Sequence, residues 1–333
     1  MRVLVAGGAG FIGSAYARER LDSHPGDEVR VLDKLTYAGR RENLEGLDRS
    51  RLEFVEADVA DRDAVRDALE GCDAVVNFAA ESHVDRSIEA PGEFIRTDVF
   101  GTFVLLEVAR DAAVRHLQIS TDEVYGSIDE GSFTESSPLD PSSPYSASKA
   151  GGDLLVSAFH HTYGTNALIV RASNNYGPRQ HPEKLIPLCV LNALAGDPLP
   201  VYGDGMQVRN WLFVEDFARA IDAVLERGQA GSTYNAGGPD ECPNVEVVRR
   251  ILELTDRDES LMEHVRDRPG HDRRYSLSSE RLRGELGWEA RVGFDEGLER
   301  TIEWYRSNEA WWSPIRSGEY RQYYERQYGR ALS

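Results

Sequence analysis

The sequence predicts an α/β protein built on a doubly wound parallel sheet, with a second, smaller α/β domain interleaved toward the C-terminus. Three observations predict it. Apolar runs of strand length alternate with amphipathic helical stretches. A glycine-rich turn joins the first run to the first helix, and polar clusters stand where several runs end. With 333 residues and 41% hydrophobic side chains, the chain can bury the core of such a fold.

Composition sets limits on function. The formal net charge of −19 argues against a protein that wraps nucleic acid or rests on an anionic membrane. The chain has no charged leader with an apolar core and no run of about 18 apolar residues, so we expect a cytoplasmic protein with no membrane partner. Cys72, Cys189 and Cys242 lack disulfide or metal spacing, and we expect reduced thiols and no bound metal.

Lysine is scarce in this chain. Its three lysines are Lys34, Lys149 and Lys184, and arginine supplies the other permanently charged cationic side chains. Arginine can replace a surface lysine easily, but it cannot replace a lysine that is needed as a compact ammonium. The positions of Lys149 and Lys184 inside segments discussed below therefore favour functional roles for both.

The first strand, at residues 3–6, runs into Gly7, Gly10 and Gly13 before a helical pattern begins. Glycines in such a turn let backbone N–H groups approach a pyrophosphate at the start of the helix. The second strand ends in Asp33, where a carboxylate accepts hydrogen bonds from ribose hydroxyls and repels a 2′-phosphate. This pattern predicts a Rossmann-type site for NAD rather than NADP; the alternative is a purely structural glycine turn.

Two further strands extend this part of the chain. The third is predicted at residues 52–56 and ends near Asp58 and Val59, which are in place to flank an adenine. The fourth is predicted at 74–78, and the polar loop 79–87 follows it at the same edge of the sheet.

Two helices and one histidine complete the N-terminal half. An amphipathic helix is predicted at 61–69, and a long helix at 91–111. His83 lies between them in the polar loop. We interpret it as a hydrogen-bonded orienting group, with general acid–base catalysis as the alternative, because a lone histidine is weak support for catalysis.

Acids and hydroxyls cluster at the end of the fifth predicted strand, residues 116–119. Thr121, Asp122 and Glu123 follow it closely. Neighbouring carboxylates can act as an acid and a base when their surroundings separate their pKa values; the alternative is a polar turn that starts the next element. Because adjacent side chains of a strand point in opposite directions, both acids can face one ligand only if the strand end twists or turns.

A helix is predicted at residues 144–163, with Ser143 as its N-cap and Gly164 as its stop. Tyr145 and Lys149 are four residues apart and therefore share a face. A nearby ammonium stabilises a phenolate, so we expect Lys149 to lower the pKa of Tyr145 and to make it a base for a substrate hydroxyl. A surface pair at helical spacing is the alternative.

Secondary structure in the C-terminal half is predicted from the same patterns. A sixth strand is predicted at 167–171, and residues 211–214 are predicted to return to the main sheet before a helix at 215–226. A helix follows at 244–254. One last amphipathic helix carries the apolar positions from Phe294 onward.

The order of these elements predicts two interleaved domains. We expect residues 1–178, with 205–230 returning to them, to form the dinucleotide-binding domain. We expect residues 179–204 and 231–333 to form most of the second domain.

Together these motifs resemble the extended short-chain dehydrogenase/reductase family of nucleotide-sugar enzymes, over essentially the whole chain. The resemblance rests on the glycine turn, Asp33 and the pair Tyr145 and Lys149. Asp122 and Glu123 narrow it to the 4,6-dehydratases of dTDP-glucose, because related 4-epimerases and decarboxylases lack this acid pair. Further matching segments are residues 35–39, 81–87, 174–178 and 183–187.

The resemblance implies removal of water across C5 and C6 of dTDP-D-glucose with NAD as cofactor, and a homodimer. It assigns catalysis to Thr121, Asp122, Glu123, Tyr145 and Lys149. A UDP-glucose 4,6-dehydratase and a UDP-sugar 4-epimerase are alternatives on the same fold. A non-catalytic NAD-binding regulator is an alternative of another class.

The resemblance also implies which residues bind the two ligands. The implied NAD contacts are Gly7, Gly10, Phe11, Ile12, Gly13, Asp33, Lys34, Leu35, Thr36, Asp58, Val59, Ala79, Ala80, Thr97, Tyr145, Lys149 and Asn175. The implied substrate contacts are Ser82, Thr121, Glu123, Asn174, Lys184, Leu185, Pro200, Tyr202, Arg209, Asn244, Arg268, His271 and Tyr275.

Two positions qualify these assignments. Arg268 can grip a diphosphate bidentately, although the alternative is an arginine-rich face that pairs with the surplus of acids. Asp98 stands where the family commonly has asparagine, and a buried aspartate needs a partner or a raised pKa.

Overall fold

Seven parallel strands form the main sheet of the computed structural model, which describes residues 1–316. From Arg2–Ala6 (β1) the chain adds strands toward one edge of the sheet, and from Ala74–Asn77 (β4) it adds them toward the other edge. The switch between these two neighbouring strands creates a crevice at their carboxyl ends. From one edge to the other, the strands are β10 (Thr233–Ala236), β6 (Ala167–Ala172), β5 (Arg115–Thr121), β4 (Ala74–Asn77), β1 (Arg2–Ala6), β2 (Glu28–Asp33) and β3 (Leu52–Glu56).

Within residues 1–316, five short strands form two smaller sheets. The three-stranded sheet has the order β11-β9-β7, and the two-stranded sheet pairs β12 with β8. Their bounds are β7 (Asn174–Tyr176), β8 (Leu199–Tyr202), β9 (Val208–Phe213), β11 (Asp240–Pro243) and β12 (Met262–Val265).

Helices cover both faces of the main sheet and build the second core. The α-helices of the described chain are α1 (Phe11–Ser23), α2 (Arg62–Leu69), α3 (Val84–Glu89), α4 (Pro91–Phe94), α5 (Thr102–Asp111), α6 (Pro144–Tyr163), α7 (Leu185–Ala195), α8 (Val214–Arg227), α9 (Asn244–Leu254), α10 (Glu280–Leu286), α11 (Phe294–Ser307) and α12 (Glu309–Arg316).

Alternating residues of each central strand pack on opposite faces. In β1, Val3 and Val5 join the core beneath α1 and α8, whereas Leu4 and Ala6 join the core beneath α2 and α5. Both faces are therefore buried, which explains why these strands are continuously apolar instead of alternating with polar residues. A separate core lies among α7, α9 and α11 and the small sheets.

Two predictions about the main sheet need correction. Residues 211–214 do not return to it, because Val208–Phe213 pairs with β7 and β11 in the small sheet. The helix Val214–Arg227 makes the return instead and packs its apolar side beside α1. The seventh strand, Thr233–Ala236, was not predicted, because four residues between glycine-rich turns carry too little periodicity.

The long helix predicted at 91–111 is confirmed, and it contains a π-helical segment, Ile95–Gly101, where the turns are wider. Another helix prediction was wrong. The helix beginning at Phe294 is not the last, because Glu309–Arg316 forms a further helix beyond it. The C-terminal part of the predicted tail, residues 317–333, lies outside the described residues. Within residues 1–316, no helix has the length and apolarity needed to cross a membrane.

Candidate active site

A cavity of about 280 Å³ opens at the carboxyl ends of the central strands. All five predicted catalytic residues line it. The predicted cofactor residues line it as well, except Leu35 and Asp58. Of the predicted substrate residues outside the catalytic set, Ser82, Asn174 and Lys184 reach it. The others lie in or beside the small sheets and are described below.

The glycine turn at the start of α1 depends on the absence of side chains. Gly7 has φ +74°, and a Cβ there would lie 2.5 Å from the backbone nitrogen of Ala79. A Cβ on Gly13 would lie 2.4 Å from the carbonyl oxygen of Gly7. No side chain caps α1, and its first turn carries no acid. Its first N–H groups are therefore available to an anion such as a pyrophosphate.

Asp33 is fixed at the end of β2 by two backbone donors. Its Oδ2 accepts the N–H of Ala9 and its Oδ1 the N–H of Leu35, each at 2.9 Å. A Cβ on Gly39 would lie 2.6 Å from Oδ1, so only glycine lets this loop close over the carboxylate. Burial raises the pKa of Asp33, and the two N–H groups oppose that rise. This arrangement fits the ribose hydroxyls of a dinucleotide.

Lys34 lies where the loops after β2, β3 and β4 meet. Its Nζ donates to Thr97 Oγ1 at 3.3 Å. It also forms long ion pairs with Asp58, at 3.9 Å, and with Glu81, at 3.8 Å. Asp58 thus acts on this edge of the cavity through Lys34 rather than by lining it.

The chain turns immediately after β5. Such a turn is required if Asp122 and Glu123 are to face the same ligand. A 3₁₀ turn, Asp122–Tyr125, follows Thr121 directly. The Thr121 hydroxyl accepts the N–H of Glu123 at 3.3 Å and donates to Asp122 Oδ1 at 3.1 Å. Both acids line the same cavity. The prediction that this strand end must twist or turn is therefore confirmed.

The two acids have different surroundings. Burial, followed by the charge of Glu123, raises the pKa of Asp122 to about 8. Burial also raises the pKa of Glu123, but the positive charges of Arg268, Arg209 and Lys184 oppose that rise. Asp122 Oδ2 has no hydrogen-bond partner among residues 1–316. The site thus favours a neutral Asp122 that can donate a proton, and three cations stabilise the carboxylate form of Glu123, which can accept one.

Tyr145 and Lys149 lie on the first turns of α6, facing the acids. A capping box between Ser143 and Ser146 fixes this end of the helix. Lys149 Nζ donates to the carbonyl oxygen of Ile119, at 2.8 Å. The capped helix therefore holds both functional side chains against the end of β5.

The expectation that the pKa of Tyr145 would be lowered was wrong for this state of the protein. Its pKa lies well above the usual value, first because of burial and then because of the negative charges of Glu123, Asp98 and Asp122. A hydrogen bond with Thr121 opposes the rise. Three carboxylates near one phenol outweigh a single ammonium.

Asp98 lies behind this helix turn and is 1% exposed. Its Oδ2 accepts the hydroxyl of Ser148 at 2.6 Å, and its Oδ1 accepts the N–H of Glu81 at 3.1 Å. Burial raises its pKa to about 6, although the charge of Lys149 opposes the rise. The expected partner and the expected raised pKa are thus both present.

His83 does not line the cavity. It precedes α3, and burial lowers its pKa to about 3, which keeps the ring neutral. Its placement favours the orienting interpretation over general acid–base catalysis.

The remaining predicted substrate residues come from the small-sheet side. Arg268 lies 3.4 Å from Asp85 Oδ1, and the Tyr202 hydroxyl donates to Asp85 Oδ2 at 3.1 Å. His271 contacts the edge of the Tyr202 ring and pairs with Asp267 at 2.6 Å. Pro200 lies on β8, Asn244 begins α9 and Leu185 begins α7.

Arg209 and Tyr275 form the part of this group that faces the acid pair. The Arg209 guanidinium stacks over the Tyr275 ring at 4.3 Å, and the Tyr275 hydroxyl donates to Asp272 at 2.7 Å. Burial raises the pKa of Tyr275, and the charge of Glu123 adds to the rise. Arg209 therefore stabilises the charge of Glu123, and that charge favours the protonated form of Tyr275.

Sequence reasoning missed several residues of the site. Ser173, Gln180 and His181 line the cavity, and Asp85 holds two of the predicted substrate residues. Buried polar atoms without a partner among residues 1–316 surround the cavity, which fits a polar ligand. Those atoms are Asp122 Oδ2, Asn174 Oδ1, Asn175 Oδ1 and Gln180 Oε1. Asn244 Oδ1 and Arg268 Nε are further such atoms, on the small-sheet side.

Comparison with known proteins places this geometry in a family. The family model described as GDP-mannose 4,6 dehydratase matches residues 4–301. The chain is 50% identical over 323 residues to a dTDP-glucose 4,6-dehydratase of Streptomyces niveus, covering 95% of this chain and 96% of that protein. It is 52% identical over 307 residues to a low-salt glycan biosynthesis protein of Haloferax volcanii, covering 92% and 98%.

A solved structure shows the same fold. The dTDP-glucose 4,6-dehydratase DesIV of Streptomyces venezuelae, solved with NAD bound, has a TM-score of 0.93 and 53% sequence identity. The match covers 95% of this chain and 100% of that chain. The protein belongs to the GDP-mannose 4,6-dehydratase family and, within it, to the dTDP-glucose 4,6-dehydratases.

Proposed function

We propose that this protein binds NAD and converts dTDP-D-glucose into dTDP-4-keto-6-deoxy-D-glucose with loss of water. One observation carries the proposal. The cavity that contains the dinucleotide turn also contains Tyr145, Lys149 and two adjacent acids held in different charge environments. A base for oxidation and an acid–base pair for elimination are the groups that this reaction requires.

The cofactor would be held by residues whose geometry fits it. Gly7, Gly10 and Gly13 form the turn for the pyrophosphate, and Asp33 accepts the ribose hydroxyls. When bound, NAD⁺ supplies the hydride acceptor for C4, the donor that later reduces C6, and a positive charge that favours the phenolate of Tyr145.

Tyr145 takes the proton of the C4 hydroxyl. In the protein alone its raised pKa keeps it protonated, so the base forms only in the loaded site. Lys149 contributes a fixed positive charge, because its Nζ is anchored on the Ile119 carbonyl oxygen. Thr121 places its hydroxyl beside the same substrate oxygen.

Glu123 then removes the C5 proton, which the 4-ketone has made acidic. Asp122 gives its proton to the C6 hydroxyl, and water leaves as the C5–C6 double bond forms. Its pKa of about 8 keeps Asp122 protonated at neutral pH, as this step requires. When C6 is reduced, Glu123 gives C5 a proton that has exchanged with solvent.

The nucleotide and diphosphate would bind on the small-sheet side. The buried Arg209 and the partly buried Arg268 and Lys184 place three positive charges near Glu123, and their combined charge would attract a diphosphate. We assign cofactor binding to residues 1–178 with 205–230, and substrate binding mainly to 179–204 and 231–333. Within residues 231–333, β10 is a strand of the main sheet rather than of the small-sheet side.

We also propose a homodimer in the cytoplasm. Large apolar side chains are exposed on the helices after β4 and β5, and Leu154 is 61% exposed. The three buried, unpaired cysteines fit a reducing compartment. A Leu154→Arg variant that sediments as a monomer would support pairing through this face, and a monomeric parent protein would contradict it. The exposed apolar residues in this face are Ile88, Ile95, Phe100, Leu154 and Tyr163.

Turnover in deuterated water tests the function. Purified protein is mixed with dTDP-glucose or with UDP-glucose, and the product is followed by mass and NMR. We expect a 4-keto-6-deoxy sugar with deuterium at C5, formed much faster from the dTDP sugar. A galactose configuration without loss of water would indicate an epimerase. Bound NAD without turnover of either sugar would support the regulator.

A further inference from the structure

The π-helical segment Ile95–Gly101 packs unusually close to α6. A Cβ on Gly152 of α6 would lie 3.1 Å from the carbonyl oxygen of Asp98. A Cβ on the neighbouring Gly151 would lie 3.1 Å from Val99 Cγ2. Two consecutive glycines therefore let this segment approach α6 and bring the Asp98 carboxylate against its first turns. Single wide turns of this kind are frequent at functional sites.

Asp98 connects the helix turn of the proposed base to the loop after β4. It accepts the Ser148 hydroxyl at 2.6 Å, and Ser148 stands between Tyr145 and Lys149 in the sequence of α6. The same hydroxyl lies 2.7 Å from the carbonyl oxygen of Tyr145. The other carboxylate oxygen accepts the N–H of Glu81 at 3.1 Å. Asp98 does not line the cavity, so it acts through these neighbours.

The charged and titratable groups that face Asp98 come from two elements. On α6 they are Lys149, whose ammonium favours the ionised carboxylate, and Tyr145, whose ionisation the carboxylate opposes. On the loop after β4 it is Glu81, whose negative charge disfavours ionisation of Asp98. The Ser148 hydroxyl and the Glu81 N–H stabilise the charged form.

We infer that Asp98 is a positioning residue that sets the basicity of Tyr145 from behind α6. It holds the turn that carries Tyr145 and Lys149, and its negative charge opposes the phenolate. The inference rests on the proposed role of Tyr145 as the base for the C4 hydroxyl. Asp98, a side chain outside the cavity, would then help to set the pH above which Tyr145 can act in the oxidation step.

The sign of the effect follows from the charges. The pKa of Asp98, about 6, leaves it ionised in neutral solution, where it raises the pKa of Tyr145. Asparagine has the same shape, accepts the Glu81 N–H and donates to Ser148, but carries no charge. Asp98→Asn should therefore preserve the contacts and lower the pKa of Tyr145.

The test is the pH dependence of kcat for dTDP-glucose, measured on the holoenzyme. In Asp98→Asn we expect the rising limb on the acid side to move to lower pH by about half a unit or more, with KM unchanged. Asp111→Asn removes an exposed acid from the end of α5 and should leave the limb in place. Ser148→Ala should move the limb in the same direction, because Asp98 loses a donor to its charged form.

A second readout does not depend on activity. Carboxyl ¹³C NMR of aspartate-labelled protein should show a group that titrates near pH 6, disappears in Asp98→Asn and titrates higher in Ser148→Ala. Two results would overturn the inference alone: an active wild type and Asp98→Asn with the same rising limb, or an Asp98 that stays protonated above neutral pH. A wild type that turns over no sugar at any pH would overturn the proposed function, and the inference with it.

Discussion

At the residue scale, Asp122 and Glu123 differ in their surroundings rather than in their chemistry. Asp122 is buried next to a like charge, whereas Glu123 is partly buried near three cations. Environments that separate two carboxyl groups in this way assign one as acid and the other as base. The sequence could show that the pair exists, but not which member holds the proton, because the deciding arginines lie more than 80 positions away in the chain.

For Tyr145, too, the sequence predicted the position of the side chain but not the direction of its pKa shift. Spacing alone correctly placed it one helical turn from Lys149. The direction of its pKa could not be predicted, because burial and the charges of Asp98, Asp122 and Glu123 arise only from tertiary packing.

The pKa of Asp122 predicts a pH dependence. Because Asp122 must be protonated to donate to the C6 oxygen, kcat for dehydration should fall as pH rises through about 8. Asp122→Asn should lower kcat by about 10²–10⁴-fold and remove this limb. Stopped-flow rates of product formation from pH 6 to 10 check it. A falling limb that persists in Asp122→Asn with the same midpoint would assign it to another group.

At the element scale, the site depends on where strands and helices end. The glycine turn, the 3₁₀ turn after β5 and the capped start of α6 are all termini, and local sequence signals predicted each of them. The π-helical segment carries no such signal, because its sequence is compatible with an ordinary α-helix. Its wide turn is seen only in the packing against Gly151 and Gly152.

The capping box of α6 gives a prediction at this scale. The Ser143 hydroxyl accepts the N–H of Ser146 at 3.1 Å, and the Ser146 hydroxyl accepts the N–H of Ser143 at 3.0 Å. Ser143→Ala should lower the free energy of unfolding by about 1 kcal/mol and reduce kcat, because the turn that holds Tyr145 frays.

The matched control lies on the same helix. Among the residues that the structure describes, the Ser157 hydroxyl bonds only within α6, to the carbonyl oxygen of Asp153 at 3.1 Å. Ser157→Ala should leave both quantities within error in urea unfolding and steady-state assays. Equal effects of the two substitutions would mean that the cap has no special role.

At the scale of the whole molecule, the site is assembled from two parts, the main sheet and the small-sheet side, which have separate cores. The parallel sheet and its strand order follow from apolar runs and turn residues, and those parts of the fold were predictable from sequence. The sheet to which Val208–Phe213 belongs was not predictable, because an apolar run does not show which strand it will pair with. Long-range contacts between the cores, such as Asp85 with Arg268, also leave no trace in local patterns.

The contacts of Asp85 give a prediction about substrate binding between the main-sheet side and the small-sheet side. Asp85 holds Arg268 and Tyr202 toward the site from α3, across the boundary between the cores. Asp85→Ala should raise KM for dTDP-glucose about tenfold and change kcat less than about twofold, because it loosens binding and not chemistry. Glu89→Ala, which removes an exposed acid at the end of the same helix, is the control. A fall in kcat at unchanged KM would contradict this role for Asp85.

The account assigns oxidation at C4 to Tyr145 and removal of the C5 proton to Glu123. The Glu123→Gln variant tests this assignment most directly. Reduced cofactor is followed by its absorbance during a single turnover of dTDP-glucose in deuterated water, with product analysed by NMR. If Glu123 is the C5 base, reduced cofactor accumulates, the sugar takes up no deuterium at C5, and water loss falls by about 10²–10⁴-fold. Dehydration at the wild-type rate, with deuterium at C5, would contradict the account.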